Sequence, residues 1–148
     1  MKKDNSQNII LDYKDVENKI KRISLEIIED NIEQKKLFFF GVSKNGKIIA
    51  KKIIDSISAH STIDSELIGV EIDKSSNNDL KFDKDSKVIN KSLIIVSDVS
   101  QSAKTLQLII SSLMLQNPQK IKTAVMVNRD HSLFCLLYTS PSPRDRSI

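Results

Sequence analysis

Leu37-Phe38-Phe39-Phe40-Gly41-Val42 is apolar at every position, and this run limits the fold more than any other feature of the chain. A strand covered on one face alternates apolar and polar residues; a strand covered on both faces is apolar throughout. The run is far short of the roughly 20 apolar residues that a membrane helix needs. It therefore predicts the central strand of a sheet enclosed between helices. Leu93-Ile94-Ile95-Val96 predicts a second such strand, and Ile121-Lys122-Thr123-Ala124-Val125-Met126-Val127 a third. Residues 65–72 read as another.

Between these strands the apolar period changes from two to that of a helix. After a start at Asp12, Val16, Ile20, Ile23 and Ile27 recur at helical spacing up to about Asn31. Ser43-Lys44-Asn45-Gly46 breaks the first apolar run. A second helix then carries Ile49, Ile53 and Ile57 on one face, with Ala50 and Ile54 beside them. Residues 106–115 predict a third helix that stops before Asn117-Pro118. Strands alternating with helices of these lengths imply βαβ units, hence an α/β fold with a mainly parallel sheet flanked by helices. Residues 73–90 are polar and read as a long loop, the kind that forms a mobile cover.

With 148 residues, 39% of them hydrophobic and 28% charged, the chain has material for one globular domain. Met1-Lys2-Lys3-Asp4-Asn5-Ser6-Gln7-Asn8 lacks the apolar stretch of a secretory signal, so a cytoplasmic protein with no membrane association is expected, with residues 1–8 as a flexible N-terminus. At the other end, Cys135-Leu136-Leu137-Tyr138-Thr139-Ser140-Pro141-Ser142-Pro143-Arg144-Asp145 resembles, residue for residue, the translation of a transposase-type sequencing adapter. Residues 135–148 are therefore expected to be a non-native tail, and residues 9–134 a domain truncated at its C-terminus. The chain's one cysteine, Cys135, falls in that tail, which leaves no basis for disulfide, zinc or thiol chemistry. The net charge of +4 drops by one without Arg144, Asp145 and Arg146. So mild an excess suits an anionic ligand without requiring nucleic acid.

In open α/β sheets ligands bind beyond the C-terminal ends of the strands. Three such ends are legible, at residues 43–46, 97–105 and 128–131, and a parallel sheet opens all three on one edge. The central one, Val96-Ser97-Asp98-Val99-Ser100-Gln101-Ser102-Ala103-Lys104-Thr105, ends a strand in a carboxylate and runs through small and hydroxyl residues into a helix. Unpaired N–H groups at such a helix start hold phosphate, and Ser100, Ser102 and Thr105 can add hydroxyl donors. Asp98 is suited to sugar hydroxyls or a hydrated metal ion. Ser100 or Ser102 serving only as a helix N-cap is the alternative.

This segment resembles the phosphoribosyl-pyrophosphate motif of type I phosphoribosyltransferases, which is an apolar strand, two acids, an apolar residue, two variable residues and Thr-Gly-x-Thr. Asp98 falls on the second acid, Ser102 on the first Thr, Lys104 on the variable position and Thr105 on the last Thr. Ser97 replaces the first acid and Ala103 the Gly. Gly41-Val42-Ser43-Lys44-Asn45-Gly46-Lys47 resembles the strand, loop and helix whose loop contacts pyrophosphate. Asn45 stands where relatives often carry Arg or Lys, which leaves Lys44 or Lys47 to supply the charge. Gly41, Gly46 and Lys47 also come close to a nucleotide P-loop, but Ile48 has no oxygen for magnesium. Within the family, the likeness is greatest to pyrimidine-operon regulators that double as uracil phosphoribosyltransferases. It runs from Ile10 to the Asn128-Arg129-Asp130-His131 segment, with Asn128 where an acid is usual.

The resemblance implies a nucleotide-metabolism transferase that binds phosphoribosyl pyrophosphate and passes the phosphoribosyl group to a nucleobase. Asp98 would be the catalytic residue. Ser97, Asp98, Ser100, Gln101, Ser102, Ala103, Lys104 and Thr105 would bind ribose and 5′-phosphate. Ser43, Lys44, Asn45 and Gly46 would face the pyrophosphate, and Asn128 and Arg129 the base. Magnesium would enter mainly on the substrate diphosphate, with no protein ligand assigned directly. A catalytically impaired ligand-binding relative or an RNA-binding regulator is the alternative, and a homo-oligomer is compatible with either. Lys35-Lys36, Lys51-Lys52 and Lys120/Lys122 are scattered, whereas RNA binding favours a clustered basic face.

Overall fold

A computed structural model describes residues 2–73, 79–85, 87–98, 103–129 and 132–139 of the chain. In chain order these form α1 (Lys2–Asp30), β1 (Lys36–Val42), α2 (Ser43–His60), β2 (Asp64–Asp73) and β3 (Asp79–Phe82). Then follow β4 (Ser92–Asp98), α3 (Ala103–Met114), β5 (Lys120–Arg129) and β6 (Ser132–Thr139). One six-stranded sheet has the order β3-β2-β1-β4-β5-β6. Its four inner strands are parallel, and β3 and β6 are antiparallel edges.

The apolar strands are central because both of their faces are covered. Alternate side chains of β1 and β4 divide between two cores. Leu37, Phe39, Ile94 and Val96 pack under α1 and α2 against Ile20, Ile27, Ile53 and Ile57. Phe38, Phe40, Leu93 and Ile95 pack on the other face, under Ile109 and Leu113 of α3. The helical faces anticipated from spacing are the buried ones: Val16, Ile20, Ile23 and Ile27 on α1, and Ile49, Ala50, Ile53 and Ile57 on α2.

Five features differ from expectation. The first helix begins at Lys2 instead of Asp12. The second begins at Ser43 with no intervening loop. The third starts at Ala103, three residues before the expected Leu106. The polar segment 73–90 contains a strand: β3 pairs with β2, and the Phe82 ring meets Phe40 edge-on at 5.9 Å. Val88, from the same segment, is fully buried. β6 takes in residues 135–139 of the expected tail and pairs with β5.

Two polar links tie α1 to the sheet. Ser92 Oγ donates to Asn31 Oδ1 at 2.7 Å, while Asn31 Nδ2 donates to the Ile27 carbonyl at 2.8 Å, and both side chains are buried. Asp30 accepts ion pairs from Lys122 at 2.7 Å and Lys120 at 3.2 Å. Partial burial pushes its carboxyl pKa upward, but the hydrogen bonds and charges of the two lysines outweigh this and hold it below the usual value. Asn31→Ala leaves the Ser92 hydroxyl without its acceptor. It should lower unfolding free energy by about 1–3 kcal/mol in urea titrations. An unchanged midpoint would show that the bond contributes nothing.

Candidate functional site

The strand order places one feature that spacing alone leaves open. From β1 the chain crosses by α2 to β2 on one side, and later returns to β4 on the other side of β1. The sheet's winding therefore reverses between β1 and β4, and an open α/β sheet has its ligand crevice at such a point. Val42 and Asp98, the last residues of these neighbouring strands, flank it.

At the end of β1 the chain turns directly into a helix. Ser43 takes φ 62°, a left-handed conformation that a non-glycine side chain adopts at a cost of about 1 kcal/mol. Val42, in the capping position, has no side-chain acceptor to offer the first turn of α2, whose N–H groups open on the crevice. The turn lies directly on β4. A Cβ on Gly46 would stand 2.6 Å from the Val96 carbonyl oxygen, and a Cβ on Gly41 would stand 2.6 Å from Lys47 Cα. Only hydrogen fits at either place.

This close approach brings Asn45 to Asp98. Asn45 Nδ2 donates to Asp98 Oδ2 at 2.9 Å, joining residues 53 apart in sequence. Asp98 is 7% exposed and stands on the same rim as Gly46. A carboxylate has about four lone-pair directions, and the Asn45 amide takes one of them. Ser97 is fully buried, and its hydroxyl donates at 2.9 Å to the Asp98 carbonyl, fixing the strand end instead of opening onto the rim.

Lys47 reaches away from Asp98. Its Nζ lies 3.8 Å from Asp83 Oδ2, which also accepts the Gly69 N–H at 3.1 Å. Lys44 is exposed beside Asn45, leaving it as the first-turn cation without a partner among the described residues. Ala103 and Lys104 are exposed in the first turn of α3, with Thr105 half-buried behind them. Ser100, Gln101 and Ser102 lie outside the described residues, as does His131. Asn128 and Arg129 end β5 by backbone, and their side chains are likewise outside the description. Among the described residues no group of three or more His, Cys, Asp or Glu converges as a metal cage. No described helix is long and apolar enough to cross a membrane.

The Asn45–Asp98 contact is what sequence reasoning missed. Both residues were candidates, but for separate jobs on separate turns. The two glycines around Asn45 were the available signal, since glycine in a strand or a helix start often marks a close backbone approach.

The phosphoribosyl transferase domain family matches residues 6–134. Among curated proteins, the Bifunctional protein PyrR of Staphylococcus epidermidis is 30% identical over 136 residues, covering 85% of this chain and 78% of the relative. That of Clostridium beijerinckii is 29% identical over 135 residues, covering 84% and 76%. Among solved structures, a hypoxanthine-guanine phosphoribosyltransferase from Bacillus anthracis superposes with a TM-score of 0.61 at 19% identity, covering 80% of this chain and 70% of that one. The hypoxanthine phosphoribosyltransferase of Trypanosoma cruzi, in complex with IMP, does so at 0.65 and 15%, covering 80% and 70%. At such identities the structures establish the shared fold.

Proposed function

Because this chain belongs to the phosphoribosyl transferase domain family, we propose that it binds phosphoribosyl pyrophosphate at the β1–β4 crevice and transfers the phosphoribosyl group to a nucleobase. The observation that carries this reading is Asp98. Its carboxylate stands at the reversal point of the sheet beside two helix starts, oriented by Asn45. Ribose hydroxyls are donors, and a nearly buried acceptor-only group is their natural partner. Helix starts supply N–H groups and a positive dipole end, which suit phosphate.

In the reaction, a ring nitrogen of the base bonds to the anomeric carbon and gives up its proton to solvent or pyrophosphate, while the bond to pyrophosphate breaks and the departing oxygens take the electron pair. The first turn of α2 would receive the growing negative charge, with exposed Lys44 beside it. Residues 100–105 would hold the 5′-phosphate and fix the sugar, a contribution of positioning. Asn128 and Arg129, at the end of β5, would face the base. Magnesium, when bound, would neutralise diphosphate charge. Asp98, an acceptor at the crevice, is the described residue that would touch such an ion.

Ser97 removes one carboxylate from the family pattern, and its hydroxyl is already committed to the Asp98 carbonyl. A charge-assisted bond is worth about 1.5–3 kcal/mol, so affinity and rate should fall by roughly 10- to 100-fold against an intact motif. Titration calorimetry with phosphoribosyl pyrophosphate and magnesium should show saturable binding. Pyrophosphate release across a panel of purine and pyrimidine bases should be slow but base-dependent. No saturable binding would overturn the reading; binding without release from any base would reduce it to a ligand-binding relative. For RNA, the basic pairs give little support: Lys120 and Lys122 are occupied by Asp30, and Lys36 by Glu66.

A further inference from the structure

We infer that Lys47 is a positioning residue for the diphosphate end of the crevice, an inference that rests on the sugar-diphosphate reading above. Its side chain is strapped across the sheet to Asp83 and seats the first turn of α2, and Lys44 is that turn's cation for ligand. Two glycines make the strap possible. Gly41 of β1 pairs with Gly69 of β2. Phe40 and Val42 point into the core under α3, so alternation turns Gly41 to the opposite face, where α2 lies. The same holds for Gly69 between Ile68 and Val70. Neighbouring positions without side chains leave a trough across the two strands, and the Lys47 stem lies in it. A Cβ on Gly41 would stand 2.9 Å from Lys47 Cγ, and one on Gly69 would stand 2.6 Å from Lys47 Cδ.

The far end of the strap is fixed as well. Asp83, the residue after β3, donates its N–H to the Gly69 carbonyl at 2.9 Å, and its Oδ2 accepts the Gly69 N–H at 3.1 Å. The carboxylate is thus tied to β2, and Lys47 Nζ meets it at 3.8 Å. Both side chains are partly open to water, so the ion pair itself adds little to stability. Its consequence is directional. With its stem confined over two strands and its ammonium turned to Asp83, Lys47 holds the first turn of α2 onto β1 and β2, as Gly46 holds it onto β4. The N–H groups of that turn are therefore in place before an anion arrives, and donors already ordered bind it more tightly. Composition left Lys44 and Lys47 as equal candidates for the charge beside diphosphate. The trough separates their roles.

Calorimetry of the full chain with inorganic pyrophosphate and magnesium, and separately with ribose 5-phosphate, tests this through the sign of one substitution. Asp83→Asn keeps an acceptor for the Gly69 N–H but removes the charge that holds Lys47. With Lys47 as an anchor, the turn loosens and pyrophosphate binding should weaken by about three- to fivefold, in keeping with a partly exposed pair. Ribose 5-phosphate affinity should stay unchanged. A lysine serving as the ligand's cation would instead be freed, and pyrophosphate would bind more tightly. Lys47→Met keeps the stem without its charge. It should weaken pyrophosphate binding to the same degree, and the double variant should be no weaker than either single one, since both break one contact. Gly69→Ala gives an independent reading. Its methyl would meet the Asp83 carboxylate and Lys47 Cδ, both movable side-chain atoms, and Gly69 has no positive φ to exclude alanine. This variant should keep or raise the urea midpoint while weakening pyrophosphate binding at least as strongly. Tighter pyrophosphate binding in Asp83→Asn, unchanged pyrophosphate affinity in Lys47→Met, or an equal loss of both ligands in any variant would overturn the inference. If the unaltered chain bound neither ligand, the sugar-diphosphate reading itself would fall.

Discussion

Replacing Asp98 by asparagine should weaken binding of phosphoribosyl pyrophosphate by about 30- to 100-fold while leaving the fold intact. The amide keeps the shape of the carboxylate and can still accept from Asn45 Nδ2, so the contact between α2 and β4 survives. What is lost is the charge. Hydrogen bonds to a charged acceptor contribute about 1.5–3 kcal/mol, roughly double those to a neutral one, and ribose offers more than one hydroxyl to that acceptor. The 7% exposure of Asp98 enlarges the effect, since water screens the interaction poorly there. Calorimetry at fixed magnesium with a parallel urea titration separates the two consequences. An affinity within threefold of the original would place the sugar elsewhere.

Gly46→Ala should lower stability by about 1–3 kcal/mol and abolish ligand binding. Helix propensity points the other way: alanine is about 1 kcal/mol better than glycine inside a helix, and Gly46 lies within α2. Steric contact decides. The added methyl would stand 2.6 Å from the Val96 carbonyl oxygen, a backbone atom held in the centre of the sheet. The turn must therefore move outward, with an overpacking cost of about 1–3 kcal/mol beyond the propensity gain. Moving the turn also withdraws Asn45 from Asp98. Thermal unfolding and calorimetry on the same preparation would show both losses. A variant at least as stable as the original would mean that the first turn of α2 is not clamped onto β4.

How legible the molecule was depends on the range of the interactions concerned. The buried faces of α1 and α2 and the central strands could be read because periodicity is a local property. β3 could not, since Asp79-Leu80-Lys81-Phe82 is short and sits in a polar stretch. Its alternation becomes meaningful once Val70 and Ile72 lie beside it as pairing partners. The start of α2 was misplaced for a related reason. Ser43-Lys44-Asn45-Gly46 has the composition of a turn, but packing against β4 makes it helix. Asp98 shares its rim with Gly46 because the parallel strands all end on one edge of the sheet.

By itself, the sequence determined the alternation of strands and helices, the side each element buries, and the edge on which a ligand could meet the sheet. Each of these follows from the spacing of side chains along a few turns of backbone. The tertiary structure alone decided that β1 and β4 are neighbours and that their junction is where the winding reverses. It alone set the amide of Asn45 against the carboxylate of Asp98. Adjacency between segments 53 residues apart is fixed by which apolar faces fit together, and no local pattern encodes that choice.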